Sequence, residues 1–311
     1  MGQLSRPIPL LLLFGVLVLA GCGALGPGFF ADRSPRERVL LLDTPFYAQE
    51  DYQCGPAALA MLLAWNDEAL SLPALSDQVY SPSLEGSLQP AMVAAARRHG
   101  YLVYPLDQPA ALFAELAAGH PVLVLQNLGF SRLPRWHYAV VIGHDLARNR
   151  IFLHSGRQQA MEISARLFER TWARGGHWGV VVLPPDRLPA TAGETPFLAA
   201  AAGLEQAGQW SAALLAYQAA LERWPGSFGA RVGLGNARYA LADYELAQRA
   251  FRQALLLQPA NGAVLNNLAL ALAAAGQRQE ALVVIRQALE LDGIWRQELL
   301  RTRQKIIADQ P

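Results

Sequence analysis

Two cysteines occur in the 311 residues, Cys22 and Cys54, and they stand in different company. Cys54 lies in "DYQCGPAALAML", residues 51–62, directly ahead of Gly55, Pro56 and an apolar run of helical composition. Glycine permits a tight start and proline is tolerated in a first turn, so the thiol is expected at a helix N-terminus. The positive end of the helix dipole favours a thiolate there, and the free N–H groups suit a developing oxyanion. The chemistry this implies is attack on a carbonyl by a thiol that alkylates well below the pH of an ordinary cysteine. Gln49, five residues upstream, is placed to add a side-chain donor for the oxyanion. Gln53 competes for that role, but its adjacency makes it poorly able to fold back.

Such a nucleophile needs a base. The six histidines are His99, His120, His137, His144, His154 and His177. His137 opens the strand-like "HYAVVIG" after a loop containing Trp136, where a side chain is both accessible and held. His99 follows Arg97 and Arg98 at a helix end and reads as a surface residue complementing the dipole. His120 falls in a "GHP" turn, His144 in a hairpin turn, and His177 opens the last strand beside Trp178. No Cys/His spacing matches a zinc site and no glycine-rich phosphate loop is present, so no metal and no cofactor are expected. A formal net charge of +1 argues against nucleic acid as a partner.

The elements that must hold these residues run from 40 to 185. "CGPAALAMLLAW" and "SLQPAMVAAARRHG" have helical length, the second with a serine cap and a closing glycine. "YLVYPL", "PVLVLQNL", "HYAVVIGHD", "RIFLHSG" and "HWGVVVLPP" are rich in Val, Ile, Leu and aromatics, bounded by turn residues, and read as strands. Helices first and strands later argue α+β with a mostly antiparallel sheet. Residues 22–39 read as a Gly/Pro-rich tether, and 186–196 as a linker by composition.

The segment before the tether, residues 1–21, has Arg6 and then "PLLLLFGVLVLAG", a signal-peptide h-region too short to span comfortably. It ends in "LAGC", which resembles the lipobox of bacterial lipoproteins with Cys22 as the lipidation site. That resemblance implies a membrane attachment through N-terminal lipid. Gly23 in place of an aspartate points to the outer membrane, with the protein on its periplasmic face. Cys54 is then the sole thiol of the mature chain.

From 197 the chain is helical and repetitive. "YQAALERWP" ends at Pro225, "FRQALLLQP" ends at Pro259, and "IRQALELDG" continues the series at the same offset. Tyr217, Phe251 and Ile285 keep that spacing, as do Ala213, Ala247 and Ala281, and Ala220, Ala254 and Ala288. The period and the pattern resemble tetratricopeptide repeats, three copies over 197–296 forming an all-α solenoid with a capping helix over 297–311. It implies a protein partner bound through the repeats.

"Q-x4-C-G-P-A" at 49–57, followed by "H-Y-A-V-V-I-G" at 137–143, resembles the bacteriocin-processing (double-glycine leader) peptidases, family 39 of the cysteine peptidases. The resemblance covers roughly 40–183 and implies a papain-like fold and a peptide or protein substrate. It implies Cys54 as nucleophile, His137 as base, and Gln49 with the Cys54 amide as oxyanion hole. Those enzymes carry an aspartate on the strand after the histidine; "IFLHSG" puts Ser155 there, next to His154. A serine orients an imidazole without supplying charge. The expected function is therefore a lipid-anchored cysteine peptidase. A cell-wall amidase and a scaffold lipoprotein with a weak or inactive site are the alternatives.

Overall fold

The computed structural model describes residues 37–48, 53–106, 108–291, 293 and 295–308. Cys22, the signal segment and most of the tether lie outside them, as does Gln49. The tether's last residues already belong to the fold: β1 (Arg38–Leu40) pairs antiparallel with a later strand. Then come α1 (Cys54–Trp65), α2 (Leu72–Val79), a small hairpin of β2 (Tyr80–Ser81) and β3 (Gly86–Ser87), and α3 (Gln89–Arg98). β4 (Leu102–Pro105), α4 (Pro109–Ala117), β5 (Val122–Asn127), β6 (Trp136–Asp145), β7 (Arg150–Ser155), β8 (Gln158–Ser164), α5 (Ala165–Ala173) and β9 (Gly179–Leu183) complete the sheet region. The main sheet is antiparallel throughout, in the order β4-β9-β5-β6-β7-β8, with β1 on the far end of β6.

Alternation along the strands divides the core in two. Tyr138, Val140 and Ile142 of β6 join Leu59, Leu62 and Met92 of α1 and α3 on one face. Ala139 and Val141 join Phe113 of α4 and Phe168 and Trp172 of α5 on the other. α1 is buried along nearly its whole length, Gly55 to Leu63. Each fully buried Leu in it stabilises the fold by about 1.5–3 kcal/mol, so this helix has little freedom to shift its first residue, Cys54.

The expected linker is sewn to the sheet region. The fully buried Glu115 of α4 accepts from the Ala190 N–H at 3.0 Å, the Thr191 N–H at 2.8 Å and the Thr191 hydroxyl at 2.6 Å. The Tyr104 hydroxyl donates to the Thr191 carbonyl at 3.1 Å and accepts from the Gly193 N–H at 3.2 Å. α6 (Glu194–Gln206) starts within the expected linker and lays Phe197, Ala201 and Leu204 into the α4/α5 face of the core.

Beyond α6 the helices stack in pairs: α7 (Trp210–Arg223), α8 (Phe228–Ala240), α9 (Tyr244–Leu257), α10 (Gly262–Ala274), α11 (Arg278–Glu290) and α12 (Arg296–Ala308). The caps repeat with the sequence period. Ser227 accepts from the Ala230 N–H at 3.1 Å, and Asn261, one period further on, accepts from the Val264 N–H at 3.1 Å. The Tyr217 ring occupies the space where a Cβ of Gly233 would stand, so the large residue of one repeat needs the small one of the next.

Three further sequence expectations change. The serine cap expected on α3 is absent: Ser87 belongs to β3, and Leu88 stands at the cap position with no side-chain bond. His144 is a fully buried strand residue of β6 rather than part of a turn, because the hairpin turn begins only after Asp145. His177 does not open β9. It sits in the preceding turn with φ +53°, two residues before Gly179.

Candidate active site

α1 begins at Cys54, with Gln53 at the cap position making no side-chain cap bond. The Cys54 thiol therefore stands among unclaimed first-turn N–H groups. The backbone N–H groups of Tyr138, Gly55 and Cys54 itself lie where they favour its thiolate. Contact with Tyr138 brings the thiol to the strand residue that follows His137. Gly55 is required by a close approach: a Cβ there would stand 2.6 Å from the Ser87 Cβ. Ser87 in turn accepts, through its carbonyl, the Tyr138 hydroxyl at 3.1 Å.

His137 is the second residue of β6, opposite Gln126 on β5. Its Nε2 lies 2.8 Å from Ser155 Oγ on β7. His154 faces Val140 in the β6–β7 ladder, so Ser155 follows diagonally across from His137, within side-chain reach. With Nε2–H donated to the serine, Nδ1 keeps its lone pair and is available as a base. The structure thus joins His137 to Ser155 directly and brings Cys54 near Tyr138, the next residue of β6.

The remaining histidines are tied into the fold. His99 Nδ1–H donates to Glu68 at 3.0 Å, His120 Nδ1–H to Glu115 at 2.7 Å, and His177 Nε2–H to Glu169 at 2.9 Å. His144 packs edge-on against Phe113, ring centroids 5.2 Å apart. His154 Nδ1 accepts from the Ala160 N–H at 3.0 Å, and its Nε2–H donates to the Thr44 carbonyl at 3.1 Å. Among the described residues no cluster of three His, Cys, Asp or Glu side chains is suited to a metal ion.

The electrostatics reverse the expectation of a thiol that ionises early. Burial pushes the Cys54 thiol above its ordinary value, outweighing the backbone hydrogen bonds that favour the thiolate. Burial, aided by the positive charge of Arg135, pulls His137 down to about 4. The resting pair is a neutral thiol and a neutral imidazole. Burial is the main cause on both groups, and Ser155 does not offset it, since a hydroxyl orients the ring without supplying the charge that would stabilise an imidazolium.

The β5–β6 hairpin beside His137 escaped the sequence reading. Phe130 and Leu133 exchange backbone hydrogen bonds at 3.1 Å, and Asn127 Oδ1 accepts from the Gly129 and Arg135 N–H groups at 3.0 and 2.9 Å. The Arg174 guanidinium braces the Asn127 carbonyl from below, at 2.8 and 3.1 Å. This well-fastened tip leaves Phe130 78%, Leu133 76% and Trp136 55% exposed. The signal was present in "GFSRLPRW", three large apolar residues in a stretch that must be a loop.

Residues 41–179 match the profile of the Peptidase_C39 like family, and residues 229–261 and 263–293 match the tetratricopeptide repeat. The chain joins a C39-like peptidase domain to a tetratricopeptide-repeat region. A putative C39-like peptidase from Bacillus anthracis aligns with 15% identity, 48% of this chain, 98% of that one and a TM-score of 0.41. The peptidase domain of Streptococcus ComA, a bifunctional ABC transporter involved in quorum sensing, aligns with 22% identity over 45% of this chain and 98% of its own, TM-score 0.39. A double-glycine-motif protease from an AMS/PCAT transporter, solved with its leader peptide, aligns with 19% identity over 48% of this chain and 94% of its own, TM-score 0.35. No curated protein matches the sequence.

Proposed function

We propose that the C39-like domain is an active cysteine peptidase, with Cys54 as nucleophile, His137 as base and Ser155 orienting the imidazole. The observation that carries this reading is the 2.8 Å bond from His137 Nε2 to Ser155 Oγ, beside a thiol at a helix N-terminus. As Sγ attacks the scissile carbonyl, the thiol proton passes to His137 Nδ1. The oxyanion takes the Cys54 N–H and the Gln49 side chain. His137 then protonates the leaving amine, and a water that it deprotonates releases the thioester. A neutral resting pair suits this concerted order, since a base that is unprotonated at pH 7 is ready to accept.

The repeat region would present protein substrates or hold the enzyme in a complex. A lipid on Cys22 would keep the protein on the periplasmic face of the outer membrane, a reading that rests on "LAGC" and Gly23. The test is digestion of a proteome-derived peptide library by the full chain, with new termini read by mass spectrometry. Cleavage lost in Cys54→Ala and in His137→Ala supports the reading. Cleavage of purified sacculi instead of peptides replaces it with an amidase. The absence of Cys54-dependent products from both leaves a scaffold, the alternative that the uncharged Ser155 favours. Labelled palmitate incorporated by the wild type but not by Cys22→Ser, followed by membrane fractionation, tests the anchor.

A further inference from the structure

β6 carries His137 near one end and Asp145 at the other, and the two ends of the sheet are charged differently. At the Asp145 end arginines meet acids. Arg38 lies 3.7 Å from Asp145, and Arg148 and Arg150 lie 3.3 and 3.2 Å from Glu162. At the His137 end two segments leave the sheet side by side. Asn127 faces Trp136 across the β5–β6 hairpin, and Ser155 faces Gln158 across the β7–β8 turn. The 2.8 Å bond between His137 and Ser155 ties these segments together at their bases. Residues 127–136 and 155–158 hold Arg132, Arg135 and Arg157 and no Asp or Glu. All three arginines are exposed, and among the described residues none of them forms an ion pair.

One unpaired surface arginine is ordinary, because water solvates it well. Three at one end of a sheet, with acids and their partners gathered at the other, set up a positive field over the site. The site feels that field: the charge of Arg135 helps hold His137 low. The same hairpin exposes Phe130, Leu133 and Trp136 among the arginines, on a tip held in place by the Asn127 and Arg174 hydrogen bonds. A fixed rim of apolar and cationic groups complements a ligand that carries apolar and anionic ones. The guanidinium fork suits a carboxylate in particular.

We propose that this rim selects the substrate: a peptide with aspartate or glutamate beside a large apolar residue, on the C-terminal side of the scissile bond. The inference rests on the peptidase reading above and deepens it. In that reading His137 protonates the departing amine, so the segments that flank His137 meet the part of the chain that departs. Arg135 and Arg132 stand two and five residues before His137. At about 3.3 Å per residue their reach is about 7–17 Å, which puts the acid within about five residues of the cut.

The experiment digests a proteome-derived peptide library with the full chain and aligns the new termini on the cut. Asp and Glu should be enriched within about five residues C-terminal to it. One cleaved peptide is then made with Glu, Gln or Lys at the position of its acid. Wild type should favour the Glu peptide over the Gln peptide by about fivefold in kcat/KM, through KM, and added salt should shrink the preference. Arg132→Gln with Arg157→Gln should reduce it to about twofold. Arg132→Glu with Arg157→Glu should favour the Lys peptide instead, an inversion that a misfolded protein does not produce. Arg135 is left in place because its charge also bears on His137. No enrichment of acids, enrichment only on the N-terminal side, or a preference undiminished in both pairs of variants overturns the inference and leaves the peptidase reading standing. So does sedimentation of wild type, but not of the Gln pair, with phosphatidylglycerol vesicles while the peptide preference is the same in both, which assigns the rim to an anionic membrane. A wild type that gives no Cys54-dependent product overturns the peptidase reading, and this inference with it.

Discussion

Replacing Ser155 by aspartate should convert the neutral pair into an ion pair. Ser155 Oγ is 2.8 Å from His137 Nε2, so a carboxylate in its place stands about 4 Å from the centre of the imidazolium charge. At an effective dielectric constant of about 20 that attraction is worth about 4 kcal/mol, or about three pKa units. Partial burial of the new carboxylate returns about one of them. His137, held at about 4 by burial and Arg135, should rise to about 6 on this reckoning. The imidazolium then lowers the neighbouring thiol, and a low-pH limb appears in its reactivity. The assay is the rate of iodoacetamide alkylation at Cys54 from pH 4 to 10. Wild type should show a single rise above the range of an ordinary thiol. Ser155→Asp should react about tenfold faster near pH 6.5. Ser155→Asn, which hydrogen-bonds without charge, should follow wild type. If the Asp and Asn variants give the same profile, or the Asp profile overlays wild type, charge at this position does not govern the pair and the reasoning fails.

Four further outcomes follow from the same geometry. Gly55→Ala forces a Cβ into Ser87 at 2.6 Å and should destabilise the protein by about 1–3 kcal/mol, read by urea unfolding, with Cys54 alkylation altered in the folded fraction. Keeping His137 neutral contributes stability in full above about pH 6.5, lost as pH falls toward its folded value of about 4. Wild type should therefore lose about 2 kcal/mol more than His137→Gln between pH 7 and pH 5. Glu115→Ala strips the acceptor from the Ala190 and Thr191 N–H groups, the Thr191 hydroxyl and His120. A loss of about 3 kcal/mol or more is expected, with protease nicking first near 190. On the exposed hairpin tip, Phe130→Ser together with Leu133→Ser should raise KM for peptide substrates several-fold with kcat little changed; a fall in kcat alone would argue against substrate contact there.

The repeat region was legible because its information is local and periodic. Each unit brings its own small and large residues and its own cap, as Ser227 and Asn261 illustrate. The strands were legible for a similar reason: Val-, Ile- and Leu-rich runs such as "PVLVLQNL" bounded by turns have few other uses. The second half of the sheet region was harder. β8, "QQAMEIS", is short and polar and pairs only at the sheet's edge, and α5 follows it without an intervening loop. The 186–196 stretch reads as a linker because its composition is that of one. Its fixation comes from Glu115 and Tyr104, which reach it from far back along the chain, and no local pattern announces a partner at that distance.

By itself, then, the sequence determined the order of the pieces: a cysteine at a helix start, a histidine at a strand start, a serine where a charge was expected, and a regular helical repeat. These are properties of spacing and side-chain type. Tertiary structure decided that His137 reaches Ser155 and what several of the other histidines hold. It also decided that the thiol and imidazole rest uncharged, that α6 completes the core of the C39-like domain, and that His154 holds the Thr44 carbonyl. Each of these depends on burial, and burial is set jointly by segments far apart in the chain. A helix N-terminus favours a thiolate in any protein; whether it prevails over desolvation depends on how deeply β6 and the rest of the cluster around α1 bury the thiol.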